Sequence, residues 1–313
     1  MTLDRTPNSG RDVGSSLRGV FAAALTPMDR DLNIDREAFA AHCRRLLDAG
    51  CHGLGVFGTT GEANSLSAEE RIPALHALVE DGVPAESLLP GTGSCALTEA
   101  VRLGTAALEA GVAGVLVLPP FYYKDVSDDG LFGFFAELIE RIGDDYLRVY
   151  LYNFPQMTGI GFSLSLIHRL LETYPGVVVG TKDSSGDRAR IRETCLEFPE
   201  FSVFAGTERY LLDTLRWGGA GCISATVNVT SRPARRVYDA HEVSQEGEAE
   251  SLQEQLTGLR AEIEAFPMIP ALKFLMRGST GEECWSNLRP PLRNLNKDQA
   301  DDLLSRPSVS ARA

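Results

Sequence analysis

Four stretches carry the residues best able to do chemistry: Gly58-Thr59-Thr60-Gly61-Glu62, Pro119-Pro120-Phe121-Tyr122-Tyr123, Tyr152-Asn153-Phe154-Pro155 and Gly180-Thr181-Lys182-Asp183. Lys182 is the most informative of them. Lysine occurs only at 124, 182, 273 and 297 among the 30 basic residues, so arginine serves wherever a plain surface charge suffices. Lys182 closes a run that begins Val177-Val178-Val179. An amine drawn out of water at such a place favours its neutral, nucleophilic form, which is what attack on a ketone requires. It could instead reach out to a rim or pair with Asp183. Tyr152, after Val149-Tyr150-Leu151, offers a phenol able to move protons, or else a core ring whose hydroxyl is satisfied. Thr59 and Thr60, flanked by Gly58 and Gly61, present amides and hydroxyls suited to a small carboxylate; the same residues also fit a plain tight turn.

Each of these stretches ends a short apolar run, and the runs alternate with helix-period segments. They begin near Gly19, Gly53, Ser87, Gly114, Arg148, Val177, Phe201 and Gly221, and such continuous runs suit strands buried on both faces. Between them lie helical patterns. Asp35 caps REAFAAHCRRLLDAG with Gly50 beyond its end, and Ser67 with Glu70 makes a capping box. Eight βα units in roughly 215 residues predict a (β/α)8 TIM barrel, an α/β fold whose reactive groups sit at the C-terminal ends of strands. A doubly wound open sheet is the alternative. We expect a flexible lead-in at 1–17, the barrel at 18–235 and a C-terminal helical appendage at 236–313.

Composition narrows the partners. With 43 acidic against 30 basic residues the chain carries a formal charge of -13, which repels nucleic acid. The longest apolar runs are far too short to span a membrane. The polar start, MTLDRTPNSGRDVGSS, has no apolar core of a signal peptide, and six scattered cysteines read as reduced thiols, so a cytoplasmic location is expected. Five histidines show no metal-ligand spacing, and no phosphate-binding glycine motif is present, so no metal and no nucleotide cofactor are expected.

In order, the GTTGE turn, the Tyr-Tyr pair, YNxPxxTG and the strand-ending lysine resemble the dihydrodipicolinate synthase / N-acetylneuraminate lyase family of pyruvate-dependent class I aldolases, from about Gly19 to Leu304. The resemblance implies that Lys182 forms an imine with the keto carbon of pyruvate or a 2-keto acid, without cofactor or metal. It implies that Tyr152 shuttles protons, that Thr59 links it into a hydroxyl relay, and that Tyr123 is lent across a dimer interface within a homotetramer. Thr60 and Thr59, beside Gly58, would hold the keto-acid carboxylate, and the backbone at Ile223 would lie against the bound acid. Glu62 would brace the turn.

Departures bear on the substrate. Dihydrodipicolinate synthases carry an arginine two residues after the proline of YNxP, where this chain has Met157, so the lysine-biosynthetic condensation is the alternative rather than the expectation. Ser185-Gly186-Asp187 is similar to the lyase branch. Sialic acid lyases hold the sugar tail with an Asp-Glu pair and a serine, where Glu208-Arg209 and Ala225 stand here; Glu208 is therefore placed with the substrate. A phosphosugar aldolase would want a phosphate cradle where Gly206-Thr207-Glu208 puts an acid. The reading that remains is a lyase or dehydratase of another 2-keto acid, 2-keto-3-deoxy sugar acids foremost, with a non-catalytic keto-acid-binding relative as the alternative of another kind.

Overall fold

The structure, a computed structural model, describes residues 17–310, so all but Leu17 of the expected lead-in lies outside the described residues. Among the described residues seven strands form one parallel sheet: β1 (Gly19–Ala22), β2 (Gly53–Leu54), β3 (Val115–Val117), β4 (Val149–Asn153), β5 (Val178–Asp183), β6 (Ser202–Ala205) and β7 (Gly221–Ser224). Their order is β2-β1-β7-β6-β5-β4-β3. The expected eighth strand, in Ser87-Leu88-Leu89-Pro90-Gly91, is not a regular one. Pro90 has no N–H to give a ladder, and only isolated bridges form, Leu54 with Leu88 and Gly91 with Leu116. They nevertheless join β2 to β3 and curl the sheet into a TIM-barrel-like ring. Leu89 and Gly91 donate to the carbonyls of Leu54 and Val56, and Leu116 donates to that of Pro90, each at 2.8 Å. Gly91 is required there, because a Cβ would strike the Phe57 carbonyl.

The helices follow the sequence signals. Asp35 caps Arg36–Asp48 by accepting from the Ala38 amide, and Ser67 and Glu70 close the capping box of Ala68–Glu80; such caps contribute on the order of 1 kcal/mol each. Helices Leu97–Glu109, Asp128–Ile142, Leu164–Thr173, Arg188–Glu197 and Leu211–Arg216 clothe the strands, and Val227–Glu242 follows β7. Inside the ring, Phe21, Leu89, Leu116, Tyr150, Phe204 and Ile223 form a packed plug. A larger layer fills the space between strands and helices.

Residue 235 falls inside helix Val227–Glu242, and the next helix, Glu246–Glu264, sends Leu252 and Leu256 into the barrel's own layer. Helices Met268–Thr280, Lys297–Ser305 and Pro307–Ser310 then enclose Trp285 and Leu272 against Leu25. Burying each large apolar side chain of this kind contributes about 1.5–3 kcal/mol. This packing brings the C-terminal helices to the strand-end side of the barrel, where the candidate site lies.

Candidate active site

Register brings the two central residues together. Tyr152 on β4 pairs with Lys182 on β5, and Asn153 pairs with Asp183. Side chains alternate along a strand, so Tyr152 and Lys182 enter the barrel while their successors turn out. The carboxylate of Asp183 is spent on the outward side. It accepts from Asn153 Nδ2 (2.9 Å), the Ser185 amide (2.8 Å) and Arg190 Nε (3.2 Å). Lys182 is thus not held as an ion pair with its neighbour. Its amine lies 4.3 Å from the centroid of the Tyr152 ring, with Lys182 4% and Tyr152 3% exposed. The Tyr152 hydroxyl is 3.3 Å from Thr59 Oγ1, and Thr60 is buried beside it. All four line one cavity of about 460 Å³. A buried amine, a phenol, a hydroxyl relay and a threonine turn can together add to a ketone, move its protons and hold a carboxylate.

The threonine turn is set by tension and clamped from the C-terminal half. Phe57 (φ 53°) and Glu62 (φ 57°) both take the left-handed conformation that non-glycine residues avoid. Phe57 is held by an edge contact with Phe39. Glu62 is wholly buried, 2.5 Å from Lys273 Nζ, and accepts from the Arg289 amide at 3.1 Å. Lys273 also donates to the Asn287 carbonyl at 2.8 Å. Burial pushes the Lys273 amine below its ordinary range against the pull of Glu62. Glu62 thus braces the turn as expected of it, and its partner Lys273, one of four lysines, is tied to it by no local sequence pattern.

The remaining expected residues divide. Met157, on the short helix Pro155–Thr158, reaches the cavity and is 65% exposed. Gly58 sits in the turn beneath Thr59, its carbonyl accepting from the Ala63 amide. Ile223 belongs to the apolar plug below the site. Tyr123 lies on the surface, 72% exposed, its ring meeting that of Tyr122 edge-on at 5.3 Å.

Glu208 is not placed as expected. It is fully buried behind the cavity wall, accepting from Ser224, Thr226 and Thr230, and it pairs with Arg260 Nη1 at 2.8 Å. Burial opposes its charge, but Arg260 and the hydroxyls outweigh that and hold the carboxyl below the usual range. The turn Glu208–Tyr210 aims Glu208 inward and gives the wall to Arg209. Arg209 pairs with Glu264, and Arg260 Nε lies 3.0 Å from the same carboxylate. Arg260 and Glu264, both on helix Glu246–Glu264, line the cavity and were not singled out from the sequence.

No group of three or more His, Cys, Asp or Glu among the described residues could hold a metal, and no described helix is long and apolar enough to cross a membrane. A TIM-barrel-like ring of parallel strands with a buried lysine at a strand end defines the class, a lyase of the class I aldolase type. The chain belongs to the dihydrodipicolinate synthetase family, whose model matches residues 16–306. It is 34% identical to an uncharacterized DapA-like lyase of Chloroflexus aurantiacus over 90% of this chain and 93% of that one. Its fold superposes on a dihydrodipicolinate synthase from Agrobacterium tumefaciens at TM-score 0.84 and 33% identity, covering 94% of this chain and 98% of that one. YagE, an E. coli K12 prophage protein of the same family solved with pyruvate, matches at TM-score 0.84 and 26% identity over 92% and 97%. Aldolases of this family work through a lysine Schiff base with pyruvate and use no metal.

Proposed function

We propose that this enzyme cleaves or forms 2-keto acids by an imine at Lys182, with pyruvate as product or donor. The observation that carries the reading is the Lys182 amine lying over Tyr152 in the cavity that Thr59 and Thr60 also line. The amine adds to the keto carbon and water leaves, giving an iminium that draws electrons from the adjoining bonds. In a 2-keto-3-deoxy acid the C3–C4 bond then breaks as the Tyr152–Thr59 pair takes the proton of the C4 hydroxyl. An aldehyde departs, the enamine is protonated at C3, and hydrolysis returns pyruvate and the free amine. A dehydratase on the same frame would take a C3 proton and expel the C4 hydroxyl as water. Thr59 and Thr60 hold the carboxylate; 2-keto-3-deoxy sugar acids are the favoured substrates.

The exposed Tyr122–Tyr123 pair supports assembly through that surface, each protomer lending Tyr123 to the neighbouring relay in a homotetramer of tight dimers. A cytoplasmic location is part of the same proposal. Borohydride reduction with pyruvate tests the mechanism: a reduced pyruvyl group should mark the peptide holding Lys182, and Lys182→Ala should abolish it. A label elsewhere, or none, would overturn the reading.

A further inference from the structure

One wall of the cavity is charged, although nothing in the imine chemistry calls for charge there. We propose that Arg209, Arg260 and Glu264 form the recognition arm for the far end of the substrate, selecting a tail of neutral hydroxyl groups over one that ends in a second carboxylate. The proposal rests on Lys182 being the imine lysine, since that fixes the carboxylate end of the substrate at the threonine turn and sends its tail towards this wall.

The three residues reach the cavity from two elements. Arg209 comes from the turn Glu208–Tyr210, while Arg260 and Glu264 stand one helical turn apart on Glu246–Glu264. The Glu264 carboxylate bridges both guanidinium groups, Oε1 towards Arg209 and Oε2 at 3.0 Å from Arg260 Nε. Arg260 is fixed before any ligand arrives. Its Nη1 donates to Glu208 (2.8 Å), Ser224 (3.0 Å) and Thr226 (2.7 Å), and the wholly buried Glu208 pairs with no other cation among the described residues. Glu208 is thus a positioning residue for Arg260. A group held in this way loses little freedom on binding, which is how preorganised sites gain affinity.

Charge decides what the arm prefers. Two guanidinium groups face two carboxylates, Glu208 and Glu264, so the cluster carries no net charge to attract an anion. It does hold both kinds of hydrogen-bonding group. Each guanidinium carries five donors; Arg209, whose side chain is 36% exposed, meets Glu264 through Nη2, and Glu264 accepts. A hydroxyl can donate to Glu264 and accept from Arg209 at once. A carboxylate can only accept, and it would meet Glu264 as a like charge. The lining beside it includes apolar Ala225, Met268, Ile269 and Pro270, so the arm supplies the charged groups that can orient a polar tail on this side.

The test compares kcat/KM for two 2-keto acids of equal length, one a 3-deoxy sugar acid with a polyhydroxyl tail, the other ending in a carboxylate. In the parent the hydroxylated acid should be favoured by at least about tenfold, as one to two hydrogen bonds to charged groups provide. Glu264→Gln removes the like charge and leaves the two arginines in excess. The ratio should then move towards the carboxylate-ended acid by roughly tenfold to a hundredfold. Because the ratio is taken on one enzyme, a general loss of activity cancels, and a merely structural role for Glu264 would leave it unmoved. Glu208→Gln should blur the same ratio through Arg260. A parent that prefers the carboxylate-ended acid, or a Glu264→Gln ratio within twofold of the parent's, overturns the arm. Borohydride trapping on the parent separates the two readings: trapping at Lys182 with an unmoved ratio refutes the arm alone, and no trapping refutes the imine lysine and the arm with it.

Discussion

Tyr152 and Lys182 are register partners on adjacent parallel strands, and the amine of one stands 4.3 Å from the ring centroid of the other. That relationship fixes both the height and the facing of the two groups, because one residue of slip would turn either side chain out of the barrel. It also leaves the Tyr152 hydroxyl 3.3 Å from Thr59 Oγ1, the geometry on which the proposed proton relay rests.

Tyr152→Phe should therefore keep the fold and the imine but lose the proton relay. We expect kcat to fall roughly 10²- to 10⁴-fold, the usual contribution of a positioned acid or base. Steady-state turnover within a few-fold of the parent would reduce Tyr152 to a packing residue.

Lys273→Met should be strongly destabilising, since it strands the wholly buried Glu62 without its cation. Breaking one side of a buried pair typically costs about 3–5 kcal/mol. Denaturant unfolding should show that loss, and the double change Lys273→Met with Glu62→Gln should recover part of it. If the double variant were no more stable than the single one, the pair would not be the clamp on the threonine turn.

His42 gives a pH dependence whose sign can be worked out. Its Nε2 lies 2.8 Å from Asn228 Oδ1, and the Asn228 amide nitrogen donates to Ala23 and Ala225, so Oδ1 is an acceptor and His42 carries its proton on Nε2. Its Nδ1 is buried without a hydrogen-bond partner among the described residues. Burial, aided by Arg45 and opposed by Asn228, lowers this imidazole to about 4 from an ordinary value of 6.5. Between those values the unfolded chain binds a proton that the folded chain does not, so stability falls as pH falls from 6.5 towards 4 and is level above it. The full difference corresponds to about 3 kcal/mol. His52 shifts in the same direction, so the comparison of two profiles isolates His42. His42→Gln should give a visibly flatter stability profile across that window; identical slopes would show that His42 does not titrate there.

Those residues also mark how much could be read in advance. Lys182, Tyr152 and Thr59 were legible because each closes its own apolar run, and parallel strands bring run ends to one side. The third run misled, since its apolar residues read as a strand while Pro90 denies it the ladder. Glu208 was misread because a short turn, not a strand period, decides its direction. Pairs such as Glu62 with Lys273 and Arg260 with Glu208 join distant parts of the chain, and no local pattern encodes them. The wall formed by Arg260 and Glu264 was hidden for a related reason: a helix rich in glutamate looks solvated until the fold lays one face of it across a cavity.

Met157 supplies the last prediction. Condensation of pyruvate with aspartate semialdehyde must dock a second carboxylate near the position where the resemblance leads one to expect arginine, and a thioether cannot donate a hydrogen bond to it. The nearest alternatives on the wall are engaged, Arg209 with Glu264 and Arg260 with Glu208 and Glu264. A missing charge-assisted contact costs up to about 3 kcal/mol, which places kcat/KM for this aldehyde roughly a hundredfold below an ordinary value of about 10⁴ M⁻¹s⁻¹. Met157 is 65% exposed at the cavity edge, so Met157→Arg should be accommodated without disturbing the core. The variant should gain part of the missing activity with aspartate semialdehyde and lose turnover of hydroxylated keto acids, whose tails give the new cation no anionic partner. A parent already working at about 10⁴ M⁻¹s⁻¹ or above with aspartate semialdehyde would mean that Arg209 leaves Glu264 to take the incoming carboxylate, and the inefficiency argued from Met157 would fall.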